Sequence, residues 1–168
     1  EVAQATAEAQ ALNVPMIVLA PEEGVTLSGD FIFQHSLLAP FEVSSIVDKS
    51  IQAGLKKFII LFPKNKYGEQ YRNLFSTKLQ ESGGGKIIAE KGYAPDIPDF
   101  VGILEQLKRQ PPIEKALRLE QASKVGIFIP DSYKQVIQIA QALDSLSIQG
   151  TKLIGTSRWH HPQLLSQA

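Results

Sequence analysis

Short apolar runs alternate along this chain with longer segments in which apolar residues recur every three or four positions. The runs are apolar at nearly every position, which predicts strands buried on both faces of a parallel sheet. The segments between them predict amphipathic helices. The predicted strands are 16–20, 31–33, 57–62, 86–90, 125–129 and 152–155. The predicted helices are 1–13, 40–54, 69–82, the segment from the N-cap Asp99 to Pro111-Pro112, 133–146, and the residues after Pro162.

Helices and strands therefore alternate throughout, with short loops between them. Residues 26–30 are predicted as loop, and residues 113–122 form a helical insertion. Alternation of this kind predicts an α/β fold, with three layers in the order α-β-α and a mainly parallel sheet.

Composition narrows the class of partner. The chain has 168 residues, of which 43% are hydrophobic, and its 17 basic residues balance its 17 acidic residues. A nucleic-acid module normally has a basic excess, so we expect no nucleic-acid partner. Cysteine is absent, which excludes disulfides, thiolate catalysis and cysteine-bound zinc, and no cofactor is expected.

No apolar run approaches the roughly 20 residues of a membrane span. The sequence begins at Glu1 without an initiator methionine or a signal peptide. We therefore expect a processed chain or a fragment.

Four landmarks occur in the order found in type I periplasmic binding proteins, the leucine/isoleucine/valine-binding family, which the chain resembles. The segment 64–69 (KNKYGE) follows an apolar strand and resembles the family's Tyr-Gly loop. Three glycines at 83–85, Tyr93 and the pair at 99–100 follow at similar spacing. The segments 128–133 (FIPDSY) and 153–159 (LIGTSRW) look closer to one branch, the penicillin-binding protein activators.

The resemblance implies a domain organisation. Family members have two lobes joined by three crossovers, in roughly twice this length. Residues 1–20 would be the last helix and strand of a first lobe, residues 21–40 a hinge crossover, and residues 41–168 the second, ligand-binding lobe without its return crossover. Gln34 and His35 would lie at the hinge, where backbone bonding is favoured over a role in binding.

Ligands of open parallel sheets bind beyond the carboxyl ends of the strands. Three such ends are predicted to share one edge, in the loops at 62–67, 130–133 and 156–159. By resemblance, Ser132 stands where amino-acid-binding members have an aromatic hydroxyl, and Ser157 where they have an acid for the ligand ammonium. The predicted ligand-binding residues are Phe62, Tyr67, Asp131, Ser132, Tyr133, Ser157, Arg158 and Trp159.

Each candidate has a structural alternative. Asp131 is favoured as a helix cap, and Tyr67 as a residue that packs its loop. Arg158 suits a carboxylate or phosphate but is equally expected as a solvated loop residue, and Trp159 is either a binding platform or filler. His160 and His161 are adjacent and lack a third ligand at metal spacing, so no metal site is expected.

Enzyme signatures are missing from the sequence, which has no Gly-x-Gly-x-x-Gly, Walker or Gly-x-Ser-x-Gly motif. We therefore expect a non-catalytic, extracytoplasmic lobe that binds a small polar ligand such as an amino acid and serves a membrane transporter. The alternative is an activator-like domain, lipid-anchored upstream of Glu1, that regulates a peptidoglycan synthase through protein contacts. A cytosolic regulator or enzyme of the response-regulator or flavodoxin architecture is less favoured.

Overall fold

The computed structural model describes residues 1–22, 24–117 and 122–167, with the backbone alone at residues 165 and 167. The chain divides into two compact units, Glu1–Glu42 and Val43–Ala168. The assignment of the first unit to a first lobe and a hinge stays a prediction.

In the first unit, helix α1 (Val2–Ala11) precedes two parallel strands, β1 (Met16–Val18) and β2 (Ile32–Gln34). A 3₁₀ turn at Val25–Ser28 lies between the strands, where the sequence predicts loop. One face of the strand pair carries a small core of Val18, Val25 and Ile32.

The opposite face of this strand pair is exposed to solvent. Ile17 and Phe33 are neighbours in the β1–β2 register and are 67% and 54% exposed. Among the described residues, the large apolar side chains that are exposed all belong to the first unit: Leu12, Val14, Ile17, Leu19, Leu27, Phe33, Leu37 and Phe41.

The remaining helices and strands follow β2, and among the described elements α4 and α5 are two helices that succeed each other directly. The helices are α2 (Ala39–Gln52), α3 (Lys66–Ser82), α4 (Val101–Lys108), α5 (Pro111–Ala116), α6 (Tyr133–Ser145) and α7 (Pro162–Gln167). The strands are β3 (Lys57–Pro63), β4 (Lys86–Tyr93), β5 (Val125–Phe128) and β6 (Lys152–Ile154).

The second unit's four strands form one sheet in the order β4-β3-β5-β6, and every neighbouring pair is parallel. Strand β3 is central and almost wholly buried, as its run of apolar residues predicts. The predicted parallel sheet is therefore confirmed.

Helices cover both faces of this sheet. On one face, Phe75 of α3 lies 5.5 Å from Phe58 of β3 and 4.2 Å from Phe128 of β5, measured between ring centroids. The opposite face packs Ile59, Leu61 and Ile127 against Leu104, Ile113 and Ile139, which belong to α4, α5 and α6. Side chains alternate between the two faces of a strand, so this arrangement gives the predicted α-β-α layers.

Most element boundaries differ from the sequence prediction by one to three residues, and two of the differences concern helix starts. Helix α4 has Phe100 rather than Asp99 at its N-cap, and Asp99 Oδ1 accepts the backbone N–H of Val101 at 3.0 Å. Pro111 begins α5, because proline is well suited to the first turn of a helix. Residues 118–121 of the predicted insertion lie outside the described part of the chain.

Among the described residues, no helix is long and apolar enough to cross a membrane.

Candidate functional site

The carboxyl ends of the four parallel strands lie at one edge of the second unit's sheet. The loops 62–67, 130–133 and 156–159 follow β3, β5 and β6, so they share this edge as the sequence predicts. The strand order reverses between β3, which leads to β4 on one side, and β5, which leads to β6 on the other. Such a reversal leaves a crevice between the two diverging loops, and that is where open α/β sheets bind ligands. We call this edge, with its three loops, the rim.

Tyr67 joins two of the rim loops. Its hydroxyl donates a 2.9 Å hydrogen bond to Oγ1 of Thr156, which is buried just beyond the end of β6. Its ring lies 4.2 Å from that of Tyr71, one turn further along α3. Tyr67 therefore packs against Tyr71 in α3 and links the first rim loop to the third.

The start of α3 is built to hold Tyr67 in place. Asn65 is the N-cap, and its Oδ1 accepts the backbone N–H of Gly68 at 2.9 Å. A Cβ at Gly68 would collide with the backbone oxygen of Pro63, so only glycine lets the helix begin this close to the strand end.

Arg158 reaches back over Tyr67. Its guanidinium carbon lies 3.6 Å from the centroid of the Tyr67 ring, which is van der Waals contact with the ring face. The side chain is exposed, and none of the ion pairs among the described residues includes it. Its position is therefore set by an aromatic platform rather than by an acidic partner.

Asp131 is fixed by two donors. Its Oδ2 accepts the Tyr93 hydroxyl at 2.7 Å, and its Oδ1 accepts the backbone N–H of Ser132 at 2.6 Å. The N-cap residue of α6 is Ser132 rather than Asp131. The Asp131 carboxylate instead bonds the backbone N–H of that cap residue. Tyr93 is 2% exposed, and burial, followed by the hydrogen bond and charge of Asp131, raises the Tyr93 pKa far above its ordinary value. The raised pKa favours the protonated phenol, which donates to the carboxylate.

The second loop is also ordered by its own contacts. Ser132 Oγ lies 2.9 Å from Gln135 Oε1, and the ring of Tyr133 stacks on His161 at 3.8 Å and 3°. The stack of Tyr133 on His161 joins the start of α6 to the segment that precedes α7. The three candidates in the second rim loop, residues 131–133, are all half-buried.

Trp159 lies inward rather than on the surface of the rim. Its Nε1 donates to the backbone oxygen of Ile129 at 3.1 Å, and its ring packs on the core between the sheet and α6. A Cβ at Gly155 would overlap the indole, so the glycine leaves the space that the ring occupies. The ring mainly fills the end of the β5–β6 pair, and its remaining exposed part faces solvent.

Two other candidates differ in access. Phe62 is buried, with the Arg72 guanidinium 5.3 Å from its ring centroid, so little of it is open to a ligand. Ser157 is exposed at the start of the 3₁₀ turn Ser157–Trp159.

The predicted hinge residues belong to the first unit. The Gln34 side chain donates to the backbone oxygens of Ala20 and Glu22, at 2.7 and 2.8 Å. The His35 backbone N–H donates to Val18 O at 2.9 Å, and its side chain is exposed. Their role in a hinge stays a prediction.

Two contributors to the rim are missing from the predicted site residues. Thr156 anchors Tyr67, and Tyr93 anchors Asp131. Both are at or just beyond strand ends, and that position is the signal that would have identified them. Within the described residues, no group of three or more His, Asp or Glu side chains is placed to hold a metal ion.

Solved structures similar to this chain share one architecture. A putative branched-chain amino acid ABC transporter protein from Rhodospirillum rubrum superposes with a TM-score of 0.78 at 15% identity, covering 97% of this chain and 43% of that one. An ABC transporter substrate-binding protein from Desulfitobacterium hafniense, in complex with Leu, gives 0.66 at 17% identity, covering 94% and 44%. The chain has the fold of type I periplasmic binding proteins.

A third structure of this fold, a solute binding protein of an ABC transporter from Rhodopseudomonas palustris with 3,4-dihydroxy benzoic acid, gives a TM-score of 0.58 at 22% identity, covering 92% of this chain and 40% of that one. The chain thus spans less than half the length of these periplasmic binding proteins. No family model matches the chain, and no curated protein matches it either.

Proposed function

We propose that this chain is a non-catalytic, extracytoplasmic ligand-binding lobe of a substrate-binding protein, and that its rim takes a small polar ligand such as an amino acid. The eight predicted residues Phe62, Tyr67, Asp131, Ser132, Tyr133, Ser157, Arg158 and Trp159 are proposed as the site residues. The buried Phe62 and the inward Trp159 would support the surface of the site from beneath, as would Thr156 and Tyr93. The observation that carries the proposal is the superposition of 97% of the chain on the branched-chain amino acid ABC transporter structure from Rhodospirillum rubrum.

The geometry of the rim supports this proposal. The strand order reverses between β3 and β5, and in open α/β sheets ligands bind at the strand ends beside such a reversal. The polar side chains of the rim are held by one another, through Tyr67–Thr156 and Tyr93–Asp131. A pre-ordered rim loses little side-chain freedom when a ligand binds.

The proteins that share the fold support the ligand class. Their structures hold Leu in one case and 3,4-dihydroxy benzoic acid in another, both of which are small carboxylic acids. A membrane transporter is the partner that these proteins suggest for this chain. In a two-lobed protein, the ligand would favour the state in which the lobes close over it.

Amide-resolved NMR titration of the chain tests the proposal. One lobe provides only part of a ligand's burial, so we expect weak binding, on the order of millimolar, to leucine or 3,4-dihydroxybenzoate. The amides of 62–67, 130–133 and 156–159 should shift. Those of Lys86 and Lys152, which begin β4 and β6 at the opposite edge, serve as internal controls.

No shift at the rim across amino acids and aromatic acids, with a folded spectrum, would overturn the proposal. Capture of a class A penicillin-binding protein by the same preparation would then favour the activator alternative.

A further inference from the structure

We infer that Arg158 anchors the ligand through a carboxylate, so that this rim selects an acid group rather than an ammonium group. The inference rests on the proposed function and deepens it by assigning the chemical class that the rim recognises. It reverses the expectation for an amino-acid site in which a second-lobe acid holds the ammonium.

The first argument is the availability of the guanidinium. Arg158 is exposed, and the ion pairs of the described residues join other groups: Arg72 with Glu69 and Glu90, Lys78 with Glu81, and Arg109 with Glu105. No carboxylate of the described residues forms an ion pair with Arg158, so its guanidinium can pair with an incoming anion.

The second argument is pre-organisation. The Tyr67 ring contacts the guanidinium on its flat face, with 3.6 Å between the guanidinium carbon and the ring centroid. The N–H donors of a guanidinium lie in its plane, so contact with the face leaves them available. The hydroxyl of Tyr67 is held by its hydrogen bond to Thr156, so the Arg158 guanidinium rests on a ring that is itself fixed in position.

The third argument is the charge of the three rim loops. Asp131 is the one carboxylate in the loops 62–67, 130–133 and 156–159, and its two oxygens already accept hydrogen bonds from Tyr93 and Ser132. The same loops carry Lys64, Lys66 and Arg158. These three loops together therefore carry more positive than negative charge, although the chain as a whole is neutral.

A carboxylate fits this arrangement better than a phosphate. One guanidinium forms two parallel hydrogen bonds with one carboxylate, which matches a single negative charge. A doubly charged phosphate usually requires more donors, and the N–H of Gly68 at the start of α3 is already taken by Asn65.

Matched probes test the inference by NMR titration of the chain. The probes are 4-methylpentanoate (leucine without its amine), isoamylamine (leucine without its carboxylate), leucine itself and inorganic phosphate. We expect 4-methylpentanoate to shift the amides of 64–67 and 156–159 and isoamylamine to leave them unchanged. Arg158→Gln should weaken carboxylate binding by about tenfold to a hundredfold, because a charged hydrogen-bond pair is lost.

Two variants complete the design. Lys152→Gln removes the same charge from an exposed residue at the opposite edge of the sheet, and it should leave binding unchanged. Arg158→Lys keeps the charge without the planar fork and should give an intermediate loss.

The outcomes separate this inference from the proposed function. Binding of leucine and isoamylamine without 4-methylpentanoate would overturn the inference and leave the ligand-binding lobe standing. The inference also fails if Arg158→Gln binds carboxylates as well as the original chain, or if phosphate binds and carboxylates do not. If none of the probes shifts the amide resonances of the rim, the result would count against the proposed function itself.

Discussion

The hydroxyl of Tyr93 donates a 2.7 Å hydrogen bond to Oδ2 of Asp131 and so joins the end of β4 to the loop after β5. Strand β3 lies between those two strands in the sheet. The hydrogen bond therefore crosses the end of the central strand β3 and links the loop 130–133 to the edge strand β4.

Tyr93→Phe should destabilise the unit, because it leaves a half-buried carboxylate without one of its two donors. We expect a decrease of about 1–3 kcal/mol in the free energy of unfolding, measured by urea denaturation at neutral pH. Tyr133→Phe is the matched control, because it removes a phenol hydroxyl in the same loop region, and its effect should stay within about 0.5 kcal/mol. Equal losses in the two variants would contradict the importance of this bond.

The raised pKa of Tyr93 predicts a loss of stability in alkali. In the unfolded chain a tyrosine ionises near pH 10, whereas the folded chain keeps the proton. Unfolding above pH 10 therefore releases a proton, and stability falls as the pH rises, by at most about 1.4 kcal/mol per pH unit for this group. The difference in unfolding free energy between the original chain and Tyr93→Phe should be constant from pH 7 to 9 and shrink between pH 10 and 11. A difference that stays constant to pH 11 would show that Tyr93 titrates normally.

Gly155→Ala should displace the indole of Trp159, since the added Cβ would occupy the same space. We expect a loss of about 1–3 kcal/mol, typical of overpacking, together with a red shift in the emission of Trp159, the single tryptophan of the chain. Gly102→Ala in α4 meets no atom within 4 Å and should stabilise by about 0.5–1 kcal/mol. An unchanged emission spectrum in Gly155→Ala would argue against the close contact.

Asn65→Ala removes the cap that starts α3 and should cost about 0.5–2 kcal/mol. The exposed Asn73 within the same helix is the control, and Asn73→Ala should be neutral or slightly stabilising. The amide resonance of Gly68, whose N–H bonds the Asn65 side chain, gives a local readout. If both asparagine variants lose stability equally, the effect does not come from the cap.

The sequence predicted the sheet well because the central strands are apolar at almost every position. The run that became β3 has this pattern, and its burial on both faces required helices on both sides. The pairing of β1 with β2 was harder to predict, because each strand has three residues and its pattern is short.

The rim was predictable at the level of loops and not at the level of contacts. Parallel strands require that the loops at 62–67, 130–133 and 156–159 share an edge. The bond between Tyr67 and Thr156 joins residues 89 positions apart, and no periodicity reports such a pair. The local sequence favours Asp131 as a helix cap and contains no sign of its hydrogen-bond partner Tyr93, which lies 38 positions away.

In this unit, the residues that form the sheet are different from the rim residues that we propose contact the ligand. Buried apolar side chains hold the strands together, whereas the groups available to a solute come from short segments after the strands have ended. If the proposed function holds, substitutions in those segments would change which solute is preferred while the apolar scaffold stays the same. Evolution could then alter the ligand of such a lobe without altering its fold.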